Sequence, residues 1–168
     1  LDMVMWDEDF LGDTLIGSYQ TATSGAGAAA LAITAPTASV PFGTATMVAG
    51  TADDGYSAAS LGLHFRGEYN AVTAAIISVN AVTSCKVEVG FTDVVSGTDA
   101  GAVNVKATPT FTAADAALWA LDTNDNTDWE GLGVDSGTAA VTQEAAIAPV
   151  AATYETLVVA LREYNSTD

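Results

Sequence analysis

Between residues 122 and 130 the chain reads DTNDNTDWE, and Asp122, Asn124, Asn126, Asp128 and Glu130 supply an oxygen at every second position. Alternate oxygen donors are what a calcium loop presents to its hard cation. The match is partial. A calcium loop places glycine at its sixth position and a bidentate glutamate at its last. Thr127 and Gly133 stand there instead. Runs of Asp and Asn also build ordinary solvated turns. A plain loop is therefore the leading reading, and calcium held by Asp122, Asn124, Asn126 and Asp128 is the alternative.

Other residues with chemistry in them are more isolated. Glu88 and Asp93 could form the carboxylate pair of a glycosidase, but their odd spacing puts them on opposite faces of a continuous strand. His64 is the one histidine, between Leu63 and Phe65 and next to Arg66. It has no strand-to-helix serine elbow to work with and reads as a polar-face residue. Cys85 is the one cysteine, so no disulfide forms within the chain. It falls on the apolar side of a strand with Val87 and Val89 and reads as a small buried hydrophobe. No set of residues points to an enzyme.

Charge narrows the partners. Twenty-one acids face four bases, Arg66, Lys86, Lys106 and Arg162, for a net charge of −17. Nucleic acid is excluded as a direct partner, because phosphate contacts need clustered Lys and Arg. An anionic membrane surface is disfavoured for the same reason, and no run reaches the length of a membrane span. The sequence opens on Leu1, as expected of a trimmed, processed or partial chain.

The elements that must carry these residues are strands. Leu61, Leu63 and Phe65 alternate with polar neighbours in 59–66; Val87, Val89 and Phe91 do so in 84–92; Leu157, Val159 and Leu161 do so in 153–163. Leu31 and Ile33 give a strand over 29–34. Val103 and Val105, opposite Asn104 and Lys106, give another over 101–108. The uniformly apolar VTAAIISV (72–79) reads as an inner strand. Period-two alternation is the signature of half-buried strands. TSGAG (23–27), TADDG (51–55), VSGTDAG (95–101), DTNDNTD (122–128) and VDSG (134–137) read as turns between them. TAADAALWALDT (112–123) is ambiguous. Thr112 and Asp115 imitate a capping box, so a short helix competes with a strand there. Alanine contributes 33 residues, so the core should be thin. The length suits one domain, residues 1–168, and the pattern predicts an all-β, antiparallel β-sandwich or barrel. Leu61, Leu63, Phe65, Val87, Val89, Phe91, Leu157 and Val159 are its expected core.

Four stretches occur in a telling order: WDEDFLGD (6–13), VEVGFTD (87–93), ALDTNDNTDWEGLGVDSGT (120–138) and PVAATYETLVVALRE (149–163). In that order they resemble structural proteins of tailed bacteriophages with a concanavalin-like or jelly-roll β-sandwich. The resemblance implies a non-enzymatic virion component on the outer capsid surface, a decoration or cement protein. Its implied partners are the major capsid protein and copies of itself, as a trimer or other symmetric cluster. A carbohydrate-binding module of a fibre or spike is the alternative. The resemblance implies no catalytic residue and no cofactor. Proteins of this look continue into a further strand, whereas this sequence stops at YNSTD, so that strand is expected from a neighbouring subunit or outside this sequence. Residues 1–12 are expected to act as a contact arm through Trp6, Phe10 and Leu11, whose apolar bodies stand among acids that stay in water.

Overall fold

A computed structural model describes residues 8, 10, 19–38, 43–51, 55–63, 65, 69–94, 101–106, 109–144 and 147–162. The chain divides into two compact units, Leu1–His64 with Val95–Ala100 and Phe65–Val94 with Gly101–Asp168. The described residues are all-β: they form twelve strands, every pairing is antiparallel, and none of them is in an α-helix.

The smaller unit contains β1 (Gln20–Ser24), β2 (Ala29–Thr34), β3 (Thr44–Val48) and β4 (Tyr56–Ser60). They pair as β1 with β4 and β2 with β3. Leu31 and Ile33 turn to one side of β2, half-buried, as their alternation predicts. The strand expected over 59–66 is not formed. β4 ends at Ser60, whose hydroxyl accepts the Gly62 N–H at 2.9 Å, and Gly62 takes a φ of 79°. That local turn stops the extended run before the apolar alternation is used. Leu63 is consequently 67% exposed. His64 lies outside the described residues.

The larger unit is organised around a four-stranded sheet in the order β11 (Thr138–Glu144), β10 (Asn126–Asp135), β9 (Ala116–Asp122), β6 (Lys86–Thr92). Both faces of this sheet are covered. One packs on the pair β5 (Val72–Ser78) and β12 (Tyr154–Ala160), burying Leu121, Trp129 and Leu157 among Ile77, Val87, Val89 and Trp119. The other packs on β7 (Val103–Val105) and β8 (Thr110–Phe111), burying Ala102, Val103, Leu118, Ala120, Leu132 and Val134. The ambiguous 112–123 segment forms a strand and no helix, and its capping-box residues serve other partners: Thr112 Oγ1 donates to the Gly101 carbonyl at 2.6 Å and Asp115 Oδ1 accepts the Ser136 N–H at 2.9 Å. Leu118 and Ala120 face one layer while Trp119 and Leu121 face the other, so the strand reads as nearly continuous apolar sequence. The β10–β11 hairpin closes on Ser136 and Gly137, both at positive φ (50° and 76°), between the paired Asp135 and Thr138. That is the two-residue turn whose twist matches a hairpin, and it accounts for the VDSG signal.

Val87, Val89, Leu157 and Val159 are buried or half-buried as expected. Phe65 is 39% exposed and meets Phe91 edge-on at 5.9 Å instead of entering the core. The 72–79 segment is also corrected. β5 pairs only with β12, and Val72 and Ile76 on its outer side are 63% and 73% exposed.

Candidate functional site

Lys86, Glu88, Lys106 and Glu130 of the larger unit gather on the face that receives β7. Lys106, just after that strand, has a completely buried side chain. Its Nζ donates to Asn126 Oδ1 at 2.7 Å and to the Asp128 carbonyl at 3.0 Å. Glu130 Oε1 lies 3.8 Å away and Asp125 Oδ2 4.0 Å away. Asn126 is fixed from its other side, since its Nδ2 donates to Glu130 Oε1 at 2.9 Å and its Oδ1 also accepts the Asp128 N–H at 2.9 Å. Donors on Oδ1 and a carboxylate on Nδ2 settle the orientation of the carboxamide.

The oxygens of the calcium reading, Asp122, Asn124, Asn126 and Asp128, have partners within the chain. Asp122 Oδ1 accepts the Asn124 N–H at 3.1 Å, which shapes the turn. Asn126 takes the Lys106 ammonium through its side chain, and Asp128 takes it through its backbone. Among the described residues no group of three or more His, Cys, Asp or Glu is placed to hold a metal ion. The physical reason is a bulge. Asn126 pairs with Asp122 and Trp129 with Leu121, so Thr127 and Asp128 are surplus on β10. A bulge re-aims side chains and breaks the alternation on which the calcium pattern depended. The positive charge that the oxygens gather round comes from the chain itself.

Lys106 also reverses an expectation. Strict alternation placed it outward with Asn104. Instead the β7–β8 register shifts between Val103 and Val105, and the chain turns at Lys106. A buried ammonium is tolerated only when paired and hydrogen-bonded, and nothing in its immediate sequence announces partners some twenty residues away.

The other end of β7 is held by Glu88. Its carboxylate accepts the N–H groups of Ala102 at 2.6 Å and Val103 at 3.1 Å, and Lys86 Nζ sits 3.0 Å from Oε1. Lys86 Nζ also donates to the Val103 carbonyl. Gly101, at a φ of 106°, makes room: a Cβ there would lie 2.6 Å from Glu88 Oε2. Glu88 is thus a backbone staple. Asp93, its supposed partner, donates its own N–H to the Asp115 carbonyl at 3.0 Å. The carboxylates that do share a face are Glu88 and Glu130, which both pair across from Ala120. Two strand spacings, roughly 10 Å, separate their backbones, and each is committed to β7 or Lys106. Only the sheet register could reveal that pairing.

On the opposite face the tryptophans are tied inward. Trp129 is buried and donates from Nε1 to Glu155 Oε2 at 2.9 Å, while Trp119 Nε1 donates to the Val158 carbonyl at 3.0 Å. They border a hollow of about 440 Å3 with Ile147 and Leu157. Cys85 stands at the edge of this cluster. Burial pushes its thiol above the ordinary range, against a lowering hydrogen bond with Thr123 and with a further rise from the Asp122 charge.

The outer side of the β5–β12 pair carries Val72, Ala74, Ile76 and Ser78 opposite Ala160, Val158, Thr156 and Tyr154. Ile76, Val72 and Val158 are at least half exposed, and no residue of this face is charged. Of the expected contact arm, Trp6 and Leu11 lie outside the described residues. Phe10 is half-buried at a φ of 53°, and its N–H donates to Glu8 Oε1 at 3.0 Å. No family model, curated protein or solved structure matches this chain.

Proposed function

We propose that this chain is a non-enzymatic structural protein of a tailed-phage virion that decorates and stabilises the outer surface of the capsid. The observation that carries the docking role is the uncharged outer face of β5 and β12. In a protein with a net charge of −17, a sheet face of Val72, Ala74, Ile76, Thr156 and Val158 without one acid is suited to contact, because acids elsewhere keep free copies apart. Contiguous exposed apolar surface marks interaction sites. The virion setting rests on the ordered resemblance of four sequence stretches. The jelly-roll or concanavalin-like form of sandwich belongs to the same proposal, supported by the packing of the four-stranded sheet on β5–β12. So does the arm of residues 1–12, with copies of the chain meeting as a symmetric cluster on the major capsid protein. A carbohydrate platform is less well supported, since the Trp129 ring is buried and both described indole N–H groups are spent inside the protein.

The test is sedimentation with undecorated capsids, comparing the natural chain with Ile76→Asp/Val158→Asp. The natural chain co-sediments at saturating occupancy in high salt, because an apolar contact is not screened. The double variant keeps its far-ultraviolet circular dichroism and stays in the supernatant. Full occupancy by the double variant would remove this face from the proposal. Failure of the natural chain to bind would remove the capsid role itself.

A further inference from the structure

Lys106, Asn126 and Glu130 are arranged for a reaction with one another. We propose that the folded chain links Lys106 Nζ to Asn126 Cγ through an amide bond, an intramolecular isopeptide, with loss of ammonia. The inference rests on the pocket alone and is independent of the virion reading.

Each requirement of amide exchange has a residue in place. The nucleophile is Lys106 Nζ, 2.7 Å from Asn126 Oδ1. With a C=O bond of ~1.23 Å and an ordinary carbonyl angle, that distance puts Nζ roughly 3.5 Å from Cγ, so Nζ starts on the oxygen side of the carbonyl at near-attack separation and swings over its face to attack. The electrophile is polarised by the Asp128 N–H, which donates to Oδ1 at 2.9 Å and remains there to meet an oxyanion. The proton carrier is Glu130, whose Oε1 lies 2.9 Å from the leaving Nδ2 and 3.8 Å from the attacking Nζ. The Lys106 side chain is fully buried and Asn126 is half-buried, so the amine stands on the side of the carboxamide turned away from water. The other described lysine in a charged cluster, Lys86, faces Glu88 and the Val103 carbonyl, neither of which is a carboxamide.

The step balances without an oxidant, a reductant or a second molecule. The ammonium of Lys106 gives one proton to Glu130. The freed lone pair of Nζ attacks Cγ, and the carbonyl π pair moves onto Oδ1. Glu130 passes its proton to Nδ2 and takes the surplus proton of Nζ. The pair on Oδ1 re-forms the carbonyl, the Cγ–Nδ2 bond breaks, and ammonia leaves, carrying off the remaining proton as ammonium. An ammonium and a primary amide become a secondary amide and an ammonium ion, and the Glu130 carboxylate is restored. The bond ties the end of β7 to the start of β10, across the layer whose apolar contacts are mostly alanine and valine.

The experiment is intact-mass measurement on the purified full chain, followed by tandem mass spectrometry of a tryptic digest. The expected mass is lower than the sequence mass by one ammonia. Cleavage after Lys106 is lost, so residues 87–162 stay on one internally looped peptide, and a second cut between residues 106 and 126 by chymotrypsin leaves its two pieces joined through them. Lys106→Arg and Asn126→Ala return the full sequence mass. Glu130→Gln does so too, and where this variant keeps the natural circular dichroism the missing bond is assigned to the proton carrier and not to misfolding. An unshifted natural mass after prolonged incubation of the folded protein overturns the proposal. So does an ammonia loss with residues 106 and 126 on separate peptides, the mark of a succinimide at Asn126. Full cross-linking in Glu130→Gln overturns the role given to Glu130.

Discussion

The two units use the same antiparallel strands to opposite effect. In the smaller one, β1 to β4 read QTATS, AALAIT, TATMV and YSAAS, and no residue of these strands is buried. In the larger one, β9 and β10 read AALWALD and NTDWEGLGVD, and seven of their residues are buried. Alternation alone makes a strand, because it needs only a period of two. A core needs side-chain volume on the face that alternation creates. Ala, Thr and Ser provide the period without the volume. The larger unit adds a second device: polar side chains that pin one layer onto another, Glu88 at one end of β7 and Lys106 at the other.

The contrast is most sharply tested by truncating one apolar residue in each unit. Trp129→Ala should cost the larger unit about 3–5 kcal/mol, the range for a buried aromatic, and it also strips Glu155 of its indole donor. Leu31→Ala, removing a half-buried side chain from β2, should cost about 1 kcal/mol or less, since little area returns to water. Urea denaturation followed by circular dichroism reads both. Equal losses would mean that the smaller unit contributes as much to the cooperative core as the larger, and the distinction would fall.

The pinning device is tested by Glu88→Gln. The shape of the side chain is kept, but two charge-assisted bonds to the Ala102 and Val103 N–H groups and the Lys86 pair are weakened. Charge-assisted bonds are worth about 1.5–3 kcal/mol each at most, and part of that is retained by the amide oxygen, so a loss of about 1–2 kcal/mol is expected. Hydrogen exchange should show it locally, with the amides of Ala102 and Val103 losing protection before those of Leu118 and Leu132. Uniform loss across the sheet would mean that Glu88 stabilises the whole layer and not the start of β7 alone. The smaller unit offers the reverse case. Tyr56 Oη is buried with no hydrogen-bond partner among the described residues. Tyr56→Phe should therefore be neutral or stabilise by up to about 1 kcal/mol, because an unsatisfied hydroxyl is removed.

Sequence gave good access to whatever depends on period. The strands at 29–34, 86–92 and 154–160 follow from alternation, and the hairpin turn at 136–137 follows from Ser-Gly chemistry. It gave poor access to whatever depends on what lies above the strand. The all-apolar 72–79 run looked interior but forms one half of a two-stranded pair, since an apolar run does not say whether its second face meets another layer or solvent. Lys106 looked exterior because its partners arrive through a bulge at residues 127–128. The oxygen-rich loop read as a solvated turn or a calcium loop, and its oxygens could not reveal that Lys106 of the same chain would stand among them.

The smallest effect belongs to Cys85, which stands at the edge of the Leu121–Trp129–Leu157 cluster. Its thiol is raised chiefly by burial, so the folded chain holds this proton to higher pH than the unfolded chain does. At neutral pH both states are protonated and the thiol contributes no slope. As the pH passes the ordinary thiol value, near 8.5, the unfolded state ionises first and binds fewer protons than the folded state. Stability must then fall with rising pH until the folded thiol also ionises. Cys85→Ala removes this contribution, so the difference in Tm between the two proteins should shrink in the natural chain's disfavour from about pH 8 upward and stay constant below it. Comparing the two proteins cancels whatever the rest of the chain contributes at each pH. Alkylation gives a second reading: the natural thiol should react more slowly than a free cysteine at one pH, as a raised thiol supplies less thiolate. A constant Tm difference across the alkaline range, with alkylation as fast as for free cysteine, would place Cys85 outside the packed edge of the larger unit and weaken the contrast drawn between a volume-rich core and a volume-poor one.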